Sequence, residues 1–277
     1  MKLNNLLFTA TTISFALFFL YTSCQDDDNA IVKRNWQLVW EDDFNGNAGQ
    51  SPDATKWAYD IGTGDNGWGT QELQYYTDKP GNVSLDGGGN LAITARSESF
   101  GGSGFTSARI KTQGLFDQAY GRFEARLKMP WGPGIWPAFW MLGSNINEVP
   151  WPQCGEIDIM EYRGQQPNLI HGSVHGPGYS GGNAITKSFG FENDRFDVDF
   201  HLFAIEWGKD YIDYYVDDQL YQRITPDKVT GEWVYDHPFF IILNVAVGGN
   251  FVGFPTPQTP FPQTMLVDYV KVYKEAN

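Results

Sequence analysis

The sequence predicts an all-β protein built as a sandwich of two sheets, and three observations carry that reading. Short apolar-rich segments alternate with a period of two, Gly-, Asn- and Asp-rich turns separate them, and no segment sustains a long helical period. Composition agrees: 31 of the 277 residues are Gly, and aromatic side chains make up 16% of the chain, with ten Trp among them. About a dozen strands joined by such turns pack as two layers around one core.

The elements follow in order. Trp36 to Phe44 reads as a first strand running into an Asn45-Gly46 turn. Residues 82–85 and 90–96 flank Asp86-Gly87-Gly88-Gly89, a hairpin signal. Residues 108–112 and 121–129 alternate on either side of a turn near Asp117. Trp136 to Leu142, then Gly155 to Tyr162, then Leu169 to His175 form the middle of the chain. Residues 203–207, 211–216 and 219–224 make a meander across the turns at Gly208-Lys209-Asp210 and Asp217-Asp218. Phe239 to Val247 is apolar almost throughout, which predicts a strand buried on both faces. Met265 to Tyr273 closes the fold by alternation. From residue 31 to 277 no linker or repeat interrupts the pattern, so one catalytic domain is expected there.

The N-terminal residues have a different character. Lys2 precedes an apolar run from Leu6 to Tyr21, followed by Thr22-Ser23-Cys24. Residues 1–24 therefore read as a lipoprotein-type signal segment, with Cys24 resembling a lipidation site. A spanning anchor is the alternative for a run of this length. Residues 25–30, with Asp26-Asp27-Asp28, form a short acidic tether that resembles the surface-export tags of some Bacteroidetes lipoproteins. An exported chain is expected, held at the outer membrane or cell surface through lipid on Cys24 and otherwise secreted. Lipidation would leave Cys154 as the other thiol, with no internal disulfide, so stability must come from the core.

Charge narrows the function. A formal net charge of −14 argues against nucleic acid and against anionic membrane surfaces, which need clustered Lys and Arg. It also disfavours sulfated polymers. A neutral substrate fits, and a monomer is expected.

One stretch carries the chemistry. Glu156, Asp158 and Glu161 lie within six residues, separated by Ile157, Ile159 and Met160. On a regular strand Glu156 and Asp158 share a face, while Glu161 would point with the isoleucines into the core. A buried, unpaired carboxylate is costly. A single-residue bulge near Met160 resolves the conflict by turning Glu161 back to the face of Glu156. Solvated acids on a half-exposed strand are the plainer reading, but the apolar flank and nearby Trp136, Trp140 and Trp151 speak for a site. Three crowded acids must raise some of their pKa values, which is unfavourable for stability and useful in catalysis. Retaining glycosidases need such a carboxyl pair.

Glu156-Ile157-Asp158-Ile159-Met160-Glu161 resembles the signature of glycoside hydrolase family 16 in its bulged form. Trp136 to Trp140, Glu72 to Thr77 and His171 to His175 resemble the accompanying laminarinase blocks, and the similarity runs in order from about Trp36 to Tyr273. The resemblance implies a β-jelly-roll of two antiparallel sheets with a concave substrate cleft, and retaining hydrolysis through a glycosyl-enzyme intermediate. It implies Glu156 as nucleophile, Glu161 as acid/base and Asp158 as support between them. The substrate class implied is a laminarin-like β-1,3-glucan; agar, carrageenan and mixed-linkage glucan are the alternatives within the family. A non-catalytic glycan-binding surface protein is the alternative outside it.

The resemblance also makes His175 a polar partner of the acid/base, Trp136 and Trp140 sugar platforms, and Asn82 and Arg109 contacts to distal sugars. Their plainer readings are a rim histidine, core aromatics, a turn amide and a surface cation. His171 and His175 share a strand face, and with no third ligand in view zinc is not expected. No catalytic cofactor is expected. A structural calcium is implied, held by Glu41, the Gly81 carbonyl and Asp268, with oxygen donors of the right chemistry. Gly62 to Gly67 formally matches a dinucleotide-binding pattern, but no βαβ unit surrounds it, and it reads as a loop over the cleft.

Overall fold

The computed structural model describes residues 34–276. The signal segment, the acidic tether and Cys24 lie outside the described residues. One sheet holds ten strands: β1 (Trp36–Asp42), β3 (Gln74–Tyr76), β4 (Val83–Leu85), β5 (Leu91–Phe100), β6 (Ser103–Ser107), β8 (Gly121–Lys128), β13 (His201–Gly208), β14 (Tyr211–Val216), β15 (Gln219–Ile224) and β17 (Gln263–Glu275). The other holds seven: β2 (Ala58–Asp60), β7 (Arg109–Lys111), β9 (Ile135–Gly143), β10 (Glu156–Tyr162), β11 (Leu169–His175), β12 (Ile185–Gly190) and β16 (Phe239–Val247).

The ten-stranded sheet runs β15-β14-β13-β8-β17-β5-β6-β3, with β1 paired to β17 and β4 to β5. The seven-stranded sheet runs β12-β11-β10-β9-β16-β7-β2. Pairing is antiparallel except for β3 with β6, a parallel pair at one edge. The predicted hairpin is β4–β5, with Leu85 opposite Leu91. The predicted meander is β13–β14–β15. The turn near Asp117 is not a hairpin: it carries the chain from β7 in one sheet to β8 in the other.

Every residue of β16 is buried, as its composition requires, and it sits inside the seven-stranded sheet between β9 and β7. Between the sheets the core includes Phe123, Phe139, Met141, Ile157, Met160, Phe203, Ile205, Ile241 and Leu243, all fully buried. Burying each such side chain is worth roughly 1.5–3 kcal/mol. This core fixes one face of the seven-stranded sheet inward and leaves its other face for the site.

The expected calcium ligands do not converge. Val83 lies opposite Ile93, and Ile93 opposite Met265, so Gly81 sits toward the Gln263 end of β17. Asp268 lies at the β17 bulge on the way to the other end, on the order of 15 Å from that position at the usual rise per residue. Asp268 Oδ2 also meets Arg126 Nη1 at 2.6 Å. Glu41, Gly81 and Asp268 therefore do not form one oxygen cage.

Candidate active site

Strand β10 breaks its own alternation at the expected place. Asp158 lies opposite Trp140 and Met160 opposite Phe139, so one residue of β9 answers two of β10. On the other side Asp158 pairs with Ser173 and Glu161 with His171, again leaving one residue over. The bulge falls at Ile159–Met160. Ile157, Ile159 and Met160 all enter the core, and Glu161 turns out beside Glu156 and Asp158. A fully apolar residue on each side of the bulge drives this, since burying Met160 and exposing Glu161 both lower the free energy.

Register then lays out the outward face in rows. Asp60, Arg109, Asn244, Ala138, Glu161 and His171 form one row across β2, β7, β16, β9, β10 and β11. Lys111, Ile242, Trp140, Asp158, Ser173 and Thr186 form the next. Phe240, Leu142, Glu156 and His175 form a third. The carboxylates thus occupy the middle of a polar and aromatic floor.

Around them the contacts are specific. Trp151 Nε1 donates to Glu156 Oε2 at 2.9 Å. Ser173 Oγ donates to Glu161 Oε2 at 3.4 Å. His175 Nε2 lies 3.1 Å from Asp158 Oδ2 and 3.6 Å from Glu156 Oε1. Burial and the neighbouring Asp158 charge push the Glu156 carboxyl up to about 7, against the pull of His175, the Trp151 hydrogen bond and Arg109. Burial and Asp158 also raise Glu161, well above the ordinary carboxylate value, against the pull of His175 and Ser173. Both glutamates are thus disposed to hold a proton that an ordinary carboxyl would have released, the property a general acid needs.

Burial opposes charge on His175, but Asp158 and the two glutamates overcome it and raise its pKa to about 10. The Gly181 N–H works the other way. It donates to Nδ1 at 3.0 Å, and a ring nitrogen cannot accept while carrying a proton. The neutral tautomer with hydrogen on Nε2, facing Asp158, is the one these partners fit. Donor atoms of Glu156, Asp158 and His175 lie within 4.8 Å of one another, close enough to hold a cation, but they are the atoms the hydrolytic chemistry uses. His171 is not part of that cluster; Nδ1 meets Ser188 Oγ at 2.8 Å, and burial, then Arg163, lowers its pKa to about 4.

Trp136 and Trp140 lie on the same sheet face as the carboxylates. Trp140 Nε1 donates to Asn244 Oδ1 at 2.8 Å, which fixes the ring beside Asp158. The Arg109 guanidinium stands over Trp140 at 4.7 Å and over Trp68 at 4.6 Å, and its Nε meets Asp60 at 2.9 Å. Arg109 is therefore a clamp between two indoles on the site face. Trp68 directly follows Gly62 to Gly67, in the short irregular turn Gly67–Gln71 where it and Gly69 take positive φ, and its ring lies against Arg109. Trp136 packs on Phe251 with ring centroids 5.1 Å apart, and Arg163 stacks on the far ring at 4.0 Å.

Asn82 departs from expectation. It is 1% exposed. Its amide donates to Thr94 O and Thr106 Oγ1, and its oxygen accepts from Thr77. With every polar atom used inside the fold, it ties the β4–β5 hairpin to β6 and contacts no sugar from that position. Trp151, Ser173, Gly181 and Phe251 are the site residues that sequence reasoning did not single out for a role. The aromatic character of Trp151 beside the acids was the one available signal; the rest come together only through register and loops.

A β-sandwich whose outer floor carries two glutamates of raised pKa astride an aspartate, between tryptophans, is a glycoside hydrolase. The chain belongs to the glycosyl hydrolases family 16, whose model matches residues 70–271. It is 41% identical over 249 residues to a beta-glucanase of Rhodothermus marinus, covering 87% of this chain and 86% of that protein. It is 37% identical over 275 residues to the glucan endo-1,3-beta-glucosidase A1 of Niallia circulans, covering 90% of this chain but only 39% of that longer protein. Among solved structures it resembles the laminarinase catalytic domain of Thermotoga maritima, with a TM-score of 0.83, 48% identity, and coverage of 88% of this chain and 100% of that one.

Proposed function

We propose that this hydrolase is a retaining endo-β-1,3-glucanase acting on laminarin-like β-glucans. The observation that carries the reading is the bulge at Ile159–Met160, which aims Glu161 at the same face as Glu156 beside Trp140. In the first step an oxygen of Glu156 bonds to the anomeric carbon as the glycosidic C–O bond breaks. The departing oxygen takes the electron pair and the proton of Glu161. In the second step water attacks the glycosyl ester, Glu161 takes the water's proton, and Glu156 leaves as carboxylate. Two carboxylates and water complete the balance, so no cofactor enters.

Asp158, whose Oδ2 lies 3.1 Å from His175 Nε2, supports the pair: its charge raises both glutamates and favours the protonated acid. Indole faces suit the apolar faces of neutral sugar rings. The acidic chain disfavours sulfated galactans, which supports glucan over carrageenan. Reducing-sugar release from laminarin, mixed-linkage glucan, agarose and carrageenan tests the reading, with Glu156→Ser as control. Release is expected from laminarin first and to vanish in the variant. Release no greater from wild type than from Glu156→Ser would end the enzyme reading, and binding of laminarin without release would make this a glycan-binding surface protein.

Export follows from the N-terminal composition. The signal segment would deliver the chain and lipid on Cys24 would hold the monomer at the membrane, with the acidic tether as spacer. Membrane association that survives Cys24→Ala would contradict this.

A further inference from the structure

The hydroxyl of Ser173 has no part in the core and no part in the displacement written above. Its strand position is set by pairing: Ser173 lies opposite Asp158 on β10 and opposite Thr186 on β12. Its side chain is 2% exposed, and its Oγ has two neighbours, Glu161 Oε2 at 3.4 Å and Thr186 Oγ1 at 2.9 Å. Each hydroxyl owns a single proton. If Thr186 donates to Ser173, then Ser173 has its own proton free for Glu161, and the three oxygens form a polarised chain that ends on the carboxyl. Thr186 is exposed, so water can complete the chain at its outer end.

We propose that Ser173, backed by Thr186, is the positioning residue of the acid/base: it engages Glu161 Oε2, so that the transferable proton sits on Oε1 and faces the glycosidic oxygen. This rests on the reading of Glu161 as the acid/base. A carboxylic acid has two oxygens, and only the one aimed at the leaving group can deliver a proton. Occupying Oε2 with a donated hydrogen bond disfavours a proton there and limits rotation of the carboxyl. The 3.4 Å separation is long for a hydroxyl donor, as catalytic hydrogen bonds often are before substrate binds.

The other charged or titratable groups around Glu161 are Glu156 and Asp158 on its own strand and His171 and His175 on β11. Tyr214 and Tyr221 approach from the opposite sheet. None of them donates to Oε2, which leaves that role to Ser173.

The test uses leaving groups. An aryl β-laminaribioside with a dinitrophenolate leaving group departs without a proton, whereas a sugar leaving group needs one. Ser173→Ala is expected to lower kcat on laminarin by roughly tenfold or more, a fraction of what a general acid contributes, with KM little changed. On the dinitrophenyl substrate the loss of kcat/KM, which reports only the first step, should stay within about threefold. The basic limb of kcat on laminarin should move to higher pH, since a hydrogen bond that favours the carboxylate is gone. Ser173→Thr should recover part of the loss. Thr186→Val, on the exposed edge strand β12, should show the same selectivity more weakly.

Equal losses on both substrates, or an unmoved basic limb, would overturn the assignment while leaving the glucanase reading intact. A wild-type protein that cleaves neither substrate would overturn both.

Discussion

Trp151 gives its indole N–H to Glu156 Oε2 at 2.9 Å while its ring remains 44% exposed. One residue therefore touches Glu156 with its polar edge and leaves much of its surface open beside the carboxylates. The hydrogen bond favours the carboxylate form of Glu156 and offsets part of the rise caused by burial and Asp158.

Trp151→Phe keeps an aromatic platform and deletes the donor. Loss of the donor raises Glu156 further, so the acid limb of kcat/KM should shift to higher pH. At its optimum kcat/KM should fall on the order of tenfold, the scale of one hydrogen bond to a charged group. A pH–rate profile with an unmoved acid limb would show that the indole N–H does not tune the nucleophile.

The raised carboxyls are a cost to the fold. Glu156 titrates near 7 in the native state and near 4.3 when unfolded. Between these values the unfolded chain has released a proton that the native one retains, so stability falls as pH rises through the window and levels off above it. Glu156→Gln removes this titration. Its stability should equal that of wild type near pH 4 and exceed it near pH 8 by on the order of 1–3 kcal/mol, seen as a higher Tm at the upper pH. Thermal scans at the two pH values check the crossing; a constant offset would show that the glutamate is not strained by its site.

Deleting Ile159 removes the extra residue of the bulge. Strict alternation would then return with Met160 inward and Glu161 still on the face of Glu156. Turnover on laminarin should therefore survive, short of the roughly 10²–10⁴-fold loss that removing general acid catalysis brings, while Tm falls with the lost core side chain. Ile159→Val keeps the backbone and should cost only about 0.5–1.5 kcal/mol with turnover within a few-fold. A folded deletion variant with no turnover would mean that alternation alone does not set the direction of Glu161.

Asn82→Ala should act on stability alone. It abandons Thr77, Thr94 and Thr106 inside the fold, a loss on the order of 1–3 kcal/mol, while KM on laminarin stays where it was. A raised KM at unchanged Tm would restore Asn82 as a sugar contact.

Strand content was legible because alternation is local. The observed bounds of β10, β11, β14, β15 and β16 follow from which residues are apolar and where turns interrupt them. The strands that escaped, β2, β3, β6 and β12, are short or polar and lie at or near sheet edges. In β12 only Ile185 and Phe189 turn away from solvent, so backbone pairing with β11, not apolar burial, makes it a strand.

By itself the sequence determined the all-β class, the carboxylate triad and even the break in its alternation, because the misfit of Glu161 is visible from the spacing of isoleucines and acids alone. Tertiary structure decided what no spacing could. It brought Trp151, Ser173 and Gly181 to Glu156, Glu161 and His175 across loops and register. It buried the amide of Asn82 and separated Gly81 from Asp268 along the sheet. Alternation records which face a side chain takes, but proximity and the low dielectric that tunes a carboxyl arise only when sheets pack.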